Sequence, residues 1–343
     1  MQILIIRFSS LGDVVLATAA VETIFRNVPG AEIDFAVREE YADLFKGDPR
    51  IRNLFIWKKG QGQFDYLQGL GREKYDLVLD LHRVIRSFRL YPFLRYSRLI
   101  GCDKRSLERR LYVWFGYRRE GRLRPLLEAY LEAVEKAGLG RERFMPRLIP
   151  NPKARAEVEK LFNSWGIKPG EPILALAPGA KEEIRCWAPD RFAEVGKRAI
   201  TELRARVLVL GAESEAELIQ RVIQTIGSER AYPLLGLSLD GLSALLSRVN
   251  LLVANDSGPA HVGRSVGTPV GVIFGPTSPE FFPAYGAEDF IVERELSCRP
   301  CSLRGERACS RPARECLETI TSEEVYNQVK NRLPISHSGK GEK

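Results

Sequence analysis

An apolar run that stops abruptly in small polar residues leaves few architectures open. Here Val249-Asn250-Leu251-Leu252-Val253 leads straight into Ala254-Asn255-Asp256-Ser257-Gly258-Pro259-Ala260-His261-Val262-Gly263. The run reads as a buried strand of a parallel sheet. Val262-Gly263-Arg264-Ser265-Val266 read as the first turns of a helix, with Asp256 or Ser257 as N-cap. Pro259 then sits where a missing N–H costs nothing. Such a turn presents unsatisfied backbone N–H groups at the positive end of a helix dipole, a geometry that holds phosphate. An ordinary capped turn between strand and helix is the alternative reading of the same residues.

The pattern recurs along the chain. Residues 1–8 are predicted as an apolar strand, and Ser9-Ser10-Leu11-Gly12-Asp13 as the loop that opens a helix running to about Arg26. That loop lacks GxGxxG, so it does not carry a dinucleotide fingerprint. Asp13 is either a simple acid at a helix start or a carboxylate placed for chemistry at a sheet edge. Further strands are predicted at 31–37, 51–57 and 75–81, then, past a proline-rich stretch near 150, at 172–177, 207–211 and 271–275. Strands alternating with helices at this spacing mean parallel α/β domains. The expected organisation is residues 1–150, residues 151–333, and a disordered tail at 334–343. Two Rossmann-like halves of this kind imply a ligand cleft facing both sheets.

At 343 residues the chain has room for two domains. No run of about 18 uncharged apolar residues occurs, so no transmembrane helix is predicted. The start of the chain reads as a strand and not a signal peptide, so the protein is expected in the cytoplasm. The net charge of +8 favours polyanionic partners. Residues 82–124 concentrate this charge: Arg83, Arg86, Arg89, Arg109, Arg110, Arg118 and Arg119 are among the arginines interleaved with Phe88, Phe93, Trp114 and Phe115. The segment reads as a contact for a membrane surface or an anionic glycolipid, with a plain basic surface as the alternative. No recognised nucleic-acid module accompanies it, so nucleic acid is not expected as a partner.

In combination these motifs resemble glycosyltransferase family 9, the ADP-heptose:lipopolysaccharide heptosyltransferases. The resemblance spans nearly the whole chain. It rests on Ser9-Ser10-Leu11-Gly12-Asp13, Asp80-Leu81 with Arg86-Ser87, Pro178-Gly179-Ala180 followed by Arg185-Cys186-Trp187, Asn255 to His261, and Gly275-Pro276-Thr277-Ser278-Pro279. It implies the GT-B fold, an acceptor-binding first domain and a nucleotide-sugar-binding second domain. It implies inverting, metal-independent transfer of heptose from an ADP-heptose donor to a lipid A/Kdo-type glycolipid acceptor. The enzyme would then be peripheral on the inner face of the inner membrane. A different nucleotide sugar or acceptor, or non-catalytic binding of a polyanion, are the alternatives.

Asp13 matches the family's base. Gly179, Ala180, Lys181, Arg185, Glu215, Asp256, Ser257, Gly258 and His261 are expected around the donor, and Ser10, Gly12, Arg83 and Arg86 around the acceptor. A leaving diphosphate needs positive charge and N–H donors, which Arg185 and the helix start at Ser257-Gly258 would supply. Asp256 would cap that helix or accept hydrogen bonds from sugar hydroxyls. The chain contains no Asp-x-Asp, the motif that holds the cation in many metal-dependent transferases, so no cofactor is expected in catalysis. Two departures stand out: Arg185 replaces a common Lys, which keeps the charge and changes its shape, and His82-Arg83 replace a common Gln-Gly on the acceptor side.

Cys298, Cys301, Cys309 and Cys316 are spaced C-x2-C-x7-C-x6-C. They are candidates for a structural metal site, although the second pair is wide for a zinc pattern. Disulfides and four unlinked thiols are the alternatives.

Overall fold

The computed structural model describes residues 1–62, 66, 69–115 and 123–334. Its contacts divide the chain into two compact units, one built on Met1–Glu108 and the stretch ending at Asn151, the other on Pro152–Pro279 and the chain from Pro283. Each unit is a parallel sheet flanked by helices, a Rossmann-like α/β architecture.

In the first unit β1 (Gln2–Ile6), β2 (Glu32–Arg38), β3 (Ile51–Trp57), β4 (Lys74–Asp80) and β5 (Arg95–Gly101) lie in the order β3-β2-β1-β4-β5, all parallel. Ile3, Leu4, Ile5 and Ile6 are fully buried, as are Leu77, Val78 and Leu79, because helices cover the sheet. The strand order reverses between β1 and β4, where Ile6 pairs with Asp80. Loops that leave such a reversal at the C-terminal edge diverge and open a crevice. The loops after β1 and β4 carry Arg7 to Ser10 and Leu81 to Val84.

The second unit repeats the design with β6 (Ile173–Ala177), β7 (Arg206–Gly211), β8 (Ala231–Leu235), β9 (Leu251–Asn255), β10 (Val270–Ile273) and β11 (Phe290–Val292), ordered β11-β10-β9-β6-β7-β8. Its reversal falls between β6 and β9, where Ala177 pairs with Ala254. Pro178–Trp187 and Asp256–Gly258 follow those two strands.

Three strands escaped the sequence reading. β8 and β11 are short strands of three to five residues, and β8 carries Pro233 at its centre. β5 lies inside the basic segment, so residues 95–101 are an edge strand and not a loose surface patch. Its Arg95, Tyr96, Ser97 and Arg98 are exposed, as suits an edge kept unattractive to other strands by charge. β9 begins at Leu251 and not at Val249, because Asn250 turns its side chain to accept a hydrogen bond from the Ile173 N–H at 2.8 Å. Among the described residues no helix is long and apolar enough to cross a membrane. Residues 335–343, most of the expected tail, and residues 116–122, including Arg118 and Arg119, lie outside the described residues.

Candidate active site

At the first reversal, the helix Leu11–Asn27 begins immediately after Ser10, its N-cap. Asp13 stands in its first turn, where a carboxylate is favoured by the helix dipole. Asp13 Oδ2 accepts hydrogen bonds from the Ser10 N–H at 3.3 Å and the Ser10 hydroxyl at 3.2 Å. It also pairs closely with the Arg7 guanidinium, whose Nη1 donates to the Leu81 carbonyl at 2.7 Å. Arg7 thereby ties the loop after β1 to the loop after β4. Burial works most strongly against its charge, but Asp13, Tyr130 and Cys102 together oppose it and leave Arg7 raised above its ordinary range. Arg7 was not singled out in the sequence. The signal was an arginine closing an otherwise apolar strand.

Asp80, which carries part of the sequence resemblance, is consumed locally. Its Oδ1 accepts from the N–H groups of His82 (2.7 Å) and Arg83 (2.9 Å), and its Oδ2 from the hydroxyls of Ser87 (2.7 Å) and Tyr91 (2.5 Å). It shapes the turn. His82 is buried, its ring edge-on to Phe8 at 5.4 Å, and its carbonyl accepts a close hydrogen bond from the Lys104 ammonium. Burial, with Arg7 and Lys104 nearby, lowers the His82 pKa to about 3, so the imidazole is neutral. Burial also lowers Lys104, to about 8, with Arg7 adding to the effect. A cavity of about 720 Å³ opens beside His82 and is lined by Trp57, Arg86 and Arg89 among others. Arg86 lines it; Arg83 does not. Arg83 takes a left-handed backbone with φ 42° and packs its side chain across Gly101, where a Cβ would stand 2.6 Å from its Cδ.

At the second reversal, Asp256 is not a helix cap. Ser257 is the N-cap of the helix Gly258–Ser265, its hydroxyl makes no capping hydrogen bond, and Pro259 sits in the first turn. Asp256 Oδ2 instead accepts from the Thr277 hydroxyl at 2.7 Å and pairs with Arg185 Nη2 at 2.8 Å. Of the two cap candidates it is therefore Ser257 that starts the helix, while the ion pair occupies the Asp256 carboxylate. Arg185 also donates to the Arg304 carbonyl at 3.4 Å. Asn255, the last residue of β9, accepts from the Trp187 N–H at 3.0 Å and donates to the Pro178 carbonyl at 2.6 Å, fixing both ends of the loop that carries Arg185. Gly179 permits a close approach: a Cβ there would lie 2.0 Å from Glu215 Oε1. Glu215 in turn accepts from the Ala212 N–H at 2.8 Å. Ala180 is half-buried on that loop, Lys181 is exposed, and His261 is buried one turn into the helix. Thr277 and Asn255 are the members that sequence reasoning left without a role.

The four C-terminal cysteines are free thiols that line one small cavity with Ile184, Pro276 and Arg314. Burial, reinforced by the neighbouring Cys298 thiol, pushes Cys301 up to about 11. Among the described residues, no three Cys, His, Asp or Glu side chains are grouped so that they could hold a metal ion.

The first unit presents a carboxylate at its sheet reversal, and the second presents a guanidinium beside open helix N–H groups, which suits a phosphorylated ligand. Comparison with known proteins agrees. The pattern of Glycosyltransferase family 9 (heptosyltransferase) matches residues 64–310. Lipopolysaccharide heptosyltransferase 1 of Pseudomonas aeruginosa is 27% identical over 327 residues, covering 88% of this chain and 86% of the relative. The crystal structure of a family 9 glycosyltransferase from Veillonella parvula superposes with a TM-score of 0.79 at 22% identity, over 96% of both chains. ADP-heptose lipopolysaccharide heptosyltransferase II of Escherichia coli superposes at 0.74 with 20% identity, over 96% of this chain and 98% of that one. The chain belongs to glycosyltransferase family 9, and it is a glycosyltransferase.

Proposed function

We propose that the protein transfers heptose from ADP-L-glycero-D-manno-heptose to the inner core of lipopolysaccharide, with inversion at the anomeric carbon. The observation that carries this reading is the Asp13 carboxylate, anchored by Arg7 and Ser10 at the opening of a helix. A single anchored base can remove the proton from an acceptor hydroxyl as that oxygen attacks, and one displacement inverts the centre. The leaving ADP carries its charge on a diphosphate. Arg185, the N–H groups at Ser257 and Gly258, and the loop Gly179-Ala180-Lys181 meet that charge, while Glu215 and His261 face the rest of the donor. Ser10, Gly12, Arg83 and Arg86 belong to the acceptor side, in the domain spanning 1–150, and the donor residues to the domain spanning 151–333. No metal ion takes part in the transfer.

The acceptor is a lipid A/Kdo-type glycolipid, so the enzyme works in the cytoplasm against the inner face of the inner membrane. Exposed Ile85 (69%) and Leu107 (68%), on the first unit and near arginines in sequence, support an anionic membrane surface as partner. The test is direct. Purified protein incubated with ADP-heptose and Kdo2-lipid A should release ADP and add one heptose mass to the lipid. Transfer that occurs only from another nucleotide sugar would replace the donor assignment. Binding to anionic vesicles should weaken with salt and with Arg109→Ser and Arg110→Ser; indifference to both removes the membrane from the reading.

The structural metal proposed for Cys298, Cys301, Cys309 and Cys316 would require the thiols to close around it and lose their protons. Metal analysis of protein purified without chelator decides the matter. One equivalent of zinc or iron, lost together with thermal stability on chelation, establishes the ion; metal-free protein with four titratable thiols removes it.

A further inference from the structure

Arg185 is held from a direction that the donor assignment does not explain. The segment 298–316, which carries four cysteines, reaches the turn Glu183–Arg185 at three points. The Arg304 carbonyl accepts from Arg185 Nη1 at 3.4 Å, and Arg314 Nη1 donates to the Glu183 carbonyl at 3.2 Å. Gly305, at φ 80°, packs against the Arg185 stem, where a Cβ would come within 2.6 Å of Cδ. The buried Ser302 fixes this turn: its hydroxyl accepts from the N–H groups of Arg304 (3.2 Å), Gly305 (2.9 Å) and Glu306 (3.0 Å). The same segment secures Thr277, the hydroxyl partner of Asp256. The Cys301 N–H donates to the Pro276 carbonyl at 2.9 Å, and Arg299 Nη2 to the Thr277 carbonyl at 2.8 Å. Both members of the Asp256–Arg185 pair are thus placed by the cysteine-bearing segment.

The four thiols share their cavity with Ile184, the neighbour of Arg185, and with Pro276, the neighbour of Thr277. Its volume is about 10 Å³, no more than one water needs. A group larger than a water, placed on a sulfur here, has to push a wall aside, because packed interiors transmit strain. Cys298, Cys301 and Cys309 are half-buried and within reach of a small reagent, whereas Cys316 is buried. Such a thiol reacts with a small disulfide or thiosulfonate by exchange. Its thiolate attacks one reagent sulfur, and a new S–S bond forms as the old one breaks. The departing thiolate or sulfinate takes the electron pair, and the thiol's own proton goes to water.

Resting on the reading that Arg185 meets the donor diphosphate, we propose that Cys298, Cys301 and Cys309 form a covalent modification site. Capping of these thiols by a low-molecular-weight disulfide or thiosulfonate displaces Arg185 and so lowers affinity for a nucleoside diphosphate. Arg314 is the positioning residue between the two, since it lines the thiol cavity and bonds the Glu183 carbonyl.

The test treats the purified full chain with methyl methanethiosulfonate, which leaves a methylthio group on each accessible thiol, and locates the adducts by peptide mass spectrometry. Capping of Cys298, Cys301 or Cys309 should speed hydrogen exchange in the peptide spanning 182–187. It should weaken ADP by about tenfold in calorimetric titration, the scale of a lost charge-assisted contact. Dithiothreitol should restore both. The triple variant Cys298→Ser, Cys301→Ser, Cys309→Ser should bind ADP like the parent and ignore the reagent, which separates these thiols from Cys186 beside Arg185. Arg314→Gln reads the same path without altering a sulfur. It should speed the same exchange, weaken ADP about fivefold and raise the donor KM more than it lowers kcat, with Arg314→Lys recovering part of the loss. Thiols that take up no reagent, unchanged exchange at 182–187 after capping, or Arg314→Gln indistinguishable from the parent in exchange would each overturn the proposal. So would a reagent effect that persists in the triple variant. Faster exchange at 182–187 with ADP affinity unchanged has a different meaning: the thiols do move Arg185, and the donor assignment of Arg185 falls instead.

Discussion

The two sheet reversals are built on the same interaction turned around. At β1/β4 a guanidinium and a carboxylate pair, and the side chain of the cation is the deeper one: Arg7 is 3% exposed and Asp13 9%. At β6/β9 the acid is deeper, with Asp256 at 5% and Arg185 at 16%. In each pair the buried partner is fixed by additional bonds, Arg7 to the Leu81 carbonyl and Asp256 to the Thr277 hydroxyl. The outer partner is the one presented. One unit thus offers a held carboxylate, suited to accepting a proton, and the other a held guanidinium, suited to meeting phosphate. An ion pair out of water is a poor source of stability, since desolvation offsets most of the attraction. Its value here is orientation of the outer member.

The comparison breaks most sharply at Asp13. Asp13→Asn should preserve ADP binding and lower transfer by about 100-fold or more, measured as heptose addition at saturating donor. Turnover near that of the parent would mean that the outer member of the first pair is not the base. At the second pair, Arg185→Ala should weaken ADP by about tenfold or more, since a charge-assisted contact to phosphate is lost. Asp256→Ala should weaken it less, because Arg185 keeps its charge and its bond to the Arg304 carbonyl. If Asp256→Ala proves the more damaging, Asp256 touches the donor itself and the inversion between the pairs is wrong.

Gly179 gives a finer probe of the second reversal. A methyl group there would strike the Glu215 carboxylate, a flexible group able to swing aside. Gly179→Ala should therefore cost little stability. It should weaken ADP about fivefold, the scale of one displaced hydrogen bond, and thermal melts with and without ADP separate the two effects. A large loss of stability without change in affinity would make Glu215 a purely structural neighbour.

Much of this was legible in the sequence, for identifiable reasons. Strands buried on both faces read as apolar runs, which is why β1, β4, β6 and β9 stood out together with the loops that follow them. Edge strands lack that signature, so β5, with Arg95 and Arg98, was absorbed into a basic segment. Asp13, Arg185 and Asp256 were visible as types at positions. Their partnerships were not, because Arg7 to Asp13 and Asp256 to Thr277 depend on where loops meet across a reversal. Asp256 shows the limit well: an acid before a helix reads as a cap, and only the arrival of Arg185 from 71 positions earlier changes its role. His82 was flagged as a departure, but its burial against Phe8 and below Lys104 has no local sequence signal.

The smallest effect concerns stability and pH, and it sharpens the contrast from the first unit's side. His82 has a folded pKa of about 3 against an ordinary 6.5, lowered by burial and then by Arg7 and Lys104. Between those values the unfolded chain holds a proton on this residue that the folded chain refuses. Linkage then requires stability to fall as pH drops through about 6.5, by at most about 1.4 kcal/mol per pH unit, with no contribution above that range. Between pH 7 and 5.5 the expected loss is about 1 kcal/mol. Acidic groups paired in the fold, such as Glu22 with Arg50, contribute at lower pH, where their carboxylates protonate. The His82 part is therefore read as the difference between the parent and His82→Gln in denaturant midpoints at pH 7.0, 6.0 and 5.5. The stability of the parent minus that of the variant should fall by about 1 kcal/mol from pH 7.0 to pH 5.5. Parallel curves would mean that His82 takes up its proton in the folded state, and that its surroundings carry one more positive charge than the geometry of Arg7 and Lys104 allows.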